Sequence, residues 1–386
     1  MGQFLSSPAT EKKTGSGGND RYLYAVTEMQ GWRFSMEDTH VAVLDLDGEL
    51  NSNVFFAVYD GHGGGHVSKY AGENLHKRLL SEDKYHERDY ETALKKAFLG
   101  TDEDLLATDE GKKISGGATA VAALLTTDNK IYVANAGDSR SVIAIKGEAE
   151  PLSFDHKPTN QPERARICAA GGYIDFERVN GNLALSRALG DFQYKRNKEL
   201  TPEKQIVTAD PDVICHEVTE EDEFLVLACD GIWDCLSSQQ VVDIVRYEIS
   251  KGKELGEITE LICDHCLAPD EQAKDMIGCD NMTILIVAIL HGRTKEEWYS
   301  WIADRVKNKY GYETPSALPE LYSPSRLMAF RARQEALEAR NKLRQEKENS
   351  MGNLSASSVG ISTSIGKSDV SPSGDPTEEH RRKTLE

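Results

Sequence analysis

The sequence predicts an α+β sandwich with sheets inside and helices outside, and three observations carry that reading. Apolar runs of strand length recur between Leu23 and Leu290. Several of them are continuous Val/Ile/Leu/Ala runs instead of alternating ones, the pattern of strands covered on both faces. Amphipathic stretches of helical period stand in groups between the strand pairs.

Taken in order, residues 1–20 are rich in Ser, Gly and Thr and are expected to be disordered. Strands are then expected at Leu23–Val26, His40–Leu46, Val54–Tyr59, Ala118–Leu125, Ile131–Ala136, Val142–Ile145, Phe224–Ala228 and Thr283–Leu290. The stretch His66–Leu80 places Val67, Tyr70, Ala71, Leu75 and Leu79 at helical spacing, and Tyr90–Ala107 does the same with Leu94, Ala97, Phe98, Leu105 and Leu106. Ser237–Ile249 and Glu257–Leu267 repeat the pattern. Past His291 the character changes to a tryptophan-bearing helix at Glu296–Lys309 and a charged one at Ser325–Glu348, in which Lys and Arg outnumber Glu. Leu327, Phe330 and Leu337 give that last helix a broken apolar stripe. The expected organisation is a disordered segment 1–20, a catalytic domain 21–292, a helical extension 293–349 and a disordered tail 350–386.

The formal net charge of -19 argues against a nucleic-acid partner held by phosphate neutralisation. No run is long and apolar enough for a membrane span. Seven cysteines without a signal peptide fit free thiols in a reducing compartment. Cys263 and Cys266 form a CxxC, but no second pair completes a zinc site, so they are expected in a helix or the core. The start MGQFLS fits N-myristoylation of Gly2. One such chain anchors only marginally, so membrane association would be transient; a cytoplasmic monomer is the default expectation. HRRK near the end is a weak nuclear-import signal.

Four aspartates stand at the tips of apolar runs: Asp60 in VFFAVYDGHGG, Asp138 in YVANAGDSR, Asp230 in FLVLACDGIWD and Asp280 in CDNMTILIVAIL. A carboxylate beside a buried strand is costly to desolvate unless something positive meets it. With Glu37 and Asp38 upstream, the set calls for a common cation. Asp60, Asp230, Asp280 and Glu37 carry the charge that two divalent ions neutralise, and hard oxygen ligands favour Mg²⁺ or Mn²⁺ over zinc. Such a pair acidifies a bridging water and clamps an in-line displacement at phosphorus. Arg33, in GWRFSMED, offers a planar fork to a phosphoryl group. His62, two residues after Asp60, is placed to protonate a leaving oxygen, whereas His66 reads as structural. The glycines of GHGGGH match neither a P-loop nor a dinucleotide fingerprint.

The set GWRFSMED, FFAVYDGHGG, SGGATAV, ANAGDSR, RVNGNLALSRALGD, LACDGIWD and DNMTILIVAI resembles the type 2C, metal-dependent protein serine/threonine phosphatases, in the family's order from about Tyr22 to Leu290. The resemblance implies a sandwich of two antiparallel sheets flanked by helices. It implies that Asp60 bridges two metals, that Asp230 and Asp280 complete one site, and that Glu37 and the carbonyl of Gly61 serve the other. By the same resemblance Asp38 hydrogen-bonds metal waters, Arg33 binds phosphate and His62 is the general acid. Asp138 and Asp234, with Asp230, match the acids of a weaker third site. Residues from Gly171 to about Gln205 match the family's flap. The implied partners are phosphoproteins, with stress or checkpoint kinases among them.

Two rivals remain. A two-metal phosphodiesterase or nuclease is disfavoured by the -19 charge and the lack of a basic groove. A phosphoprotein-binding pseudo-phosphatase would have lost metal acids, and here they are all present.

Overall fold

The computed structural model describes residues 4–48, 52–270, 277–336, 339–340 and 342. Its chain divides into two units, Met1–Leu327 and Met328–Glu386. In the second, residues 328–336 are helical. Gly2 and the tail 350–386 lie outside the described residues.

The first unit is built on strands β1 (Phe4–Gly18), β2 (Tyr22–Arg33), β3 (Thr39–Val43), β4 (Val54–Tyr59), β5 (Ala120–Leu125), β6 (Lys130–Ala136), β7 (Arg140–Ile145), β8 (Glu148–Pro151), β9 (Asp212–Glu217), β10 (Asp222–Ala228) and β11 (Met282–Ile289). They form a six-stranded sheet in the order β1-β2-β11-β10-β7-β8 and a five-stranded sheet in the order β9-β6-β5-β4-β3, both antiparallel. The principal helices are α1 (His66–Ser81), α2 (Tyr90–Ala107), α3 (Gln161–Ala169), α4 (Ser238–Ser250), α5 (Leu255–Cys266) and α6 (Lys295–Lys307).

The continuous apolar runs are explained by the two faces they serve. Along β4, Val54, Phe56 and Val58 enter the core between the sheets, while Phe55, Ala57 and Tyr59 face a second core with Val67, Leu75, Leu79, Leu94 and Phe98 of α1 and α2. Along β5, Val121, Ala123 and Leu125 face the inter-sheet core and Ala120, Ala122 and Leu124 the helices. The inter-sheet core is closed from the other side by Val26, Ile143, Leu225, Leu227, Leu285 and Val287. Each fully buried Val, Leu, Ile or Phe among them contributes about 1.5–3 kcal/mol, so neither face could be polar without loss of the sandwich.

Four expectations are corrected. Residues 4–18 are not disordered but form β1, in register with β2 from Lys12↔Met29 to Gly18↔Leu23. Its Ser/Thr/Gly/Lys composition suits an edge strand, held by backbone pairing and by polar contacts: Thr14 Oγ1 to Glu260 at 2.6 Å and Lys12 to Asp264 at 2.7 Å. The run expected at Ala118–Leu125 breaks at Thr119, whose N–H and hydroxyl turn to the backbone of Asp60 at 2.8 and 3.3 Å. The third strand ends at Val43 instead of Leu46. The catalytic body does not end at residue 292, because α6 is docked on it by buried charge: Trp298 is fully buried and donates to the Glu223 carbonyl at 3.2 Å.

That docking centres on Glu223, which is fully buried between Arg305, at 3.0 Å, and Arg246, at 3.4 Å. Arg246 also donates to the carbonyls of Tyr312 and Tyr310 at 3.1 and 3.2 Å. Burial raises the Glu223 carboxyl above its ordinary range, and the two guanidiniums oppose that. Removing one partner of a buried ion cluster typically costs about 3–5 kcal/mol. Arg246→Ala is therefore expected to lower the unfolding free energy by about that amount in a urea titration; a loss below about 1 kcal/mol would show that the cluster does not hold α6.

Candidate metal centre

The strand ends of both sheets converge on one cleft of about 410 Å³, lined by Arg33, Glu37, Asp60, Gly61, His62, Asp138, Asp230 and Asp280 among others. Each acid arrives on a separate rigid element. Asp60 follows β4, Asp138 lies in the turn from β6 to β7, Asp230 opens a one-turn helix (Asp230–Trp233) after β10, and Asp280 precedes β11. The glycines after the first and third of these let the backbones touch. A Cβ on Gly61 would meet the Glu37 carbonyl at 2.4 Å, and one on Gly231 would meet the Asn281 carbonyl at 2.0 Å.

Asn281 stitches the rim. Its side chain accepts from the Glu37 N–H at 2.9 Å and donates to the carbonyls of Gln30 and Ser35 at 2.8 and 3.0 Å. Glu37 is oriented by the Gly64 N–H at 2.9 Å and the Ser35 hydroxyl at 2.7 Å. Arg33 pairs with Asp280, and Lys157 pairs with Asp138. Asp38 is buried behind the cleft and accepts from the Thr283 hydroxyl at 2.7 Å. Asp234 caps the one-turn helix, its N–H on the Asp230 carbonyl at 2.8 Å, and stands outside the cleft lining. His66 opens α1 at the surface, and Cys263 and Cys266 are buried on α5, as expected.

The electrostatics are those of a cation site. Burial, then the charges of Asp230, Asp38, Asp280 and Asp138, push the Asp60 carboxyl well above the usual range. Burial and then Asp138, Asp280 and Asp234 do the same to Asp230, with Lys157 opposing. Asp38 is pushed up to about 7, by burial first, with the Thr283 hydrogen bond pulling against it. Carboxylates this close cannot all ionise unless positive charge joins them. The donor set fits a hard divalent ion: all ligand candidates are oxygens, and the buried Oδ1 of Asp38 has no hydrogen-bond partner among the described residues. One thiol, Cys229, lies within 4.8 Å of the Asp38 and Asp60 oxygens. Burial and these acids push its pKa well up, and its Sγ lies 3.5 Å from the Asn281 carbonyl, to which it donates.

Beside the acids, residues of the flap enter the cleft. A two-stranded ribbon, Ile174–Asp175 with Arg178–Val179, turns at Phe176 and Glu177, both in the left-handed region at φ +46° and +63°. Arg178, Asn182 and Leu183 line the cleft together with Arg33. The flap is anchored by Arg187, which pairs with Glu163 of α3 at 2.8 Å and with Asp212 of β9 at 2.7 Å. Sequence reasoning assigned no role to Asn281, Lys157, Arg178 or Asp191. The last accepts from His62, its Oδ2 lying 2.6 Å from Nε2. Asn281 and Asp191 stand inside quoted motifs, but motif membership carries no direction in space.

A sequence model described as protein phosphatase 2C matches residues 22–275. "Protein phosphatase 2C homolog 2" of Hypocrea jecorina is 52% identical over 331 residues, covering 84% of this chain and 75% of its own. "Protein phosphatase 2C homolog 2" of Schizosaccharomyces pombe is 52% identical over 329 residues, covering 84% and 88%. Among solved structures, a phosphatase from Toxoplasma gondii superposes with a TM-score of 0.62 at 26% identity, covering 72% of this chain and 95% of that one.

Two outcomes are expected. Calorimetric titration with Mn²⁺ should show binding that Asp60→Asn abolishes, and the ion should raise the melting temperature, with about 2.7 kcal/mol of stabilisation at a hundredfold excess over the dissociation constant. Melting unaffected by Mn²⁺ and by Mg²⁺ would remove the cation site. Acid should also loosen the flap. Burial raises the Glu163 pKa, but Arg187 and then Arg166 overcome it and hold the group at about 2. A depressed carboxyl stabilises above its unfolded pKa and loses that contribution as pH falls through its folded one. The stability gap between the parent and Glu163→Gln, at most about 3 kcal/mol, should close between about pH 5 and pH 2 in chemical denaturation. A gap independent of pH would refute the ion pair's contribution.

Proposed function

The chain belongs to the protein phosphatase 2C family, whose members are metal-dependent protein serine/threonine phosphatases, and on that premise we propose how its cleft removes phosphate from phosphoserine and phosphothreonine. The observation that carries the reading is the convergence of Glu37, Asp60, Asp230 and Asp280 from separate elements on one cleft that also holds Arg33 and His62. Asp60 would bridge two Mg²⁺ or Mn²⁺ ions, with Asp230 and Asp280 on one side and Glu37 and the Gly61 carbonyl on the other; Asp138 and Asp234 would serve a weaker third. When bound, the pair supplies a water acidified for attack on phosphorus and charge to offset the developing phosphoryl oxygens.

The chain's own groups do the rest. Arg33 stands at the rim with a planar fork for two phosphoryl oxygens, which orients the ester for in-line displacement. Asp38, held by Thr283, orients water at the centre. His62 gives its proton to the departing serine or threonine oxygen, an alkoxide too basic to leave unaided. Stress and checkpoint kinases are the substrates we put forward, on family resemblance, in a monomer of the cytoplasm that the HRRK run would also admit to the nucleus. The retained acids speak against a pseudo-phosphatase.

The first test is phosphate release from a phosphothreonine peptide with Mn²⁺ or Mg²⁺ and then with excess chelator. Turnover that needs the ion supports the reading, and folded, ion-loaded protein without turnover ends it. His62→Gln is expected to lower kcat on the peptide by about 10²–10⁴ and to affect an aryl phosphate far less, because that leaving group needs little protonation. Equal losses on both would exclude His62 as the acid.

A further inference from the structure

One buried carboxylate behind the cleft histidine belongs to none of the proposed metal sites. Asp191 is 1% exposed, and its Oδ2 lies 2.6 Å from Nε2 of the half-buried His62. Its Oδ1 accepts from the Gln193 side chain at 3.3 Å. The backbone that delivers it is held in the left-handed region, φ +49°, directly after Gly190 at φ +74°. A non-glycine residue in that region costs on the order of 1–2 kcal/mol, so the surroundings must enforce it.

They do so from three directions. A small sheet pairs Gly61–His62 with Gly117–Ala118, and Gly117–Ala118 with Leu189–Gly190, so the histidine and the aspartate ride on strands that share a neighbour. The Asp191 N–H donates to the Gly116 carbonyl at 2.9 Å. Gly117 has no Cβ, and one there would meet Asp191 Oδ2 at 2.5 Å. Behind the turn, Asp102 of α2 accepts from the Gly190 N–H at 2.7 Å and pairs with Lys195 at 2.7 Å, while Lys195 also donates to the Ala188 carbonyl at 2.8 Å. A turn residue alone would direct its carboxylate to nearby backbone; this one is directed to the cleft histidine.

We propose that Asp191 is the positioning residue for His62, fixing its ring and tautomer so that Nδ1 is the nitrogen left for the substrate. Nε2 keeps its proton throughout and donates it in a hydrogen bond to the carboxylate. The proton delivered to the departing alcohol oxygen leaves from Nδ1, and the ring returns to a neutral form still hydrogen-bonded to Asp191 through Nε2–H. The arrangement follows the general logic of a carboxylate that orients a catalytic imidazole through its far nitrogen. It also defines the substrate class served: esters of poorly leaving alcohols, for which the aimed proton matters. This inference rests on the reading of His62 as general acid.

The test uses the full chain and two variants that tolerate the left-handed backbone, Asp191→Asn and Asp191→Gly. In ¹⁵N-histidine spectra of the metal-free protein, the parent should show His62 as the Nε2–H tautomer. With Gln193 still donating to the amide oxygen, Asp191→Asn turns its NH₂ towards Nε2 and should flip the ring to Nδ1–H; Asp191→Gly should leave a mixture. With Mn²⁺, both should lower kcat on a phosphothreonine peptide by about 10–10²-fold with KM nearly unchanged, and lower p-nitrophenyl phosphate turnover by less than about threefold. Either variant combined with His62→Gln should be no worse than His62→Gln alone. A parent in the Nδ1–H form, or equal losses on both substrates, overturns the role of Asp191. A tautomer flip without any leaving-group effect confirms the pairing and overturns the general-acid reading of His62 instead.

Discussion

The structure depends on one constraint: carboxylates gathered where strand ends meet must be answered by positive charge. Burial, and then the charges of Asp230, Asp280 and Asp138, raise the cost of ionising Asp60, and burial with Asp138 and Asp280 does the same to Asp230. A flexible support would let them drift apart and relieve the repulsion. Here each is fixed at the end of an element packed on at least one core, and Asn281 ties the two rims together through the backbone of residues 30–37. The sandwich stores unfavourable electrostatics at one end, and a hard divalent cation is the species that relieves it. Affinity and preorganisation therefore come from the same rigidity.

The two cores divide that labour. The inter-sheet core fixes how the strand ends of one sheet face those of the other, and so sets the spacing of Asp60 against Asp230 and Asp280. The core under α1 and α2 holds β4 and β5 against the helices, and through Thr119 and the small sheet it sets the backbone of Asp60, Gly61 and His62. The first governs the spacing of the charges and the second the position of His62. The flap adds a third, smaller core around Ile167, Val179, Ala188, Tyr194 and Val207, which carries Arg178 to the cleft.

Much of this was legible in the residues because the signals were local. A run such as FLVLACD states both a buried strand and the acid at its end, so β4, β10 and β11 and the acids Asp60, Asp230 and Asp280 could be read directly. The seven motifs added the roles of Glu37, Gly61, Asp38, Arg33 and His62 through resemblance, and the cleft does gather Glu37, Gly61, Arg33 and His62 with the acids. Signals that live in pairing were not legible. The strand β1 has the composition of a loop, and only the backbone of β2 makes it a strand. Asp191 meets His62 across 129 residues, and Glu223 meets Arg305 across 82, separations at which no periodicity speaks. The boundary at 292 failed for the same reason: the change of composition is real, but α6 carries the counter-charges of a carboxylate inside the body.

The pairing of β2 with β11 has a consequence for how the molecule comes into being. Tyr22 lies opposite Ile289, so the centre of one sheet joins an early strand to the last one. On a ribosome adding roughly 5–20 residues per second, the early strand waits tens of seconds for its neighbour. Until β11 emerges the inter-sheet core is open on one side, Asp280 does not yet exist, and the acids already made have no common geometry. The nascent chain is thus an inert hydrolase by topology, and its acids share one geometry only after β11 has been made.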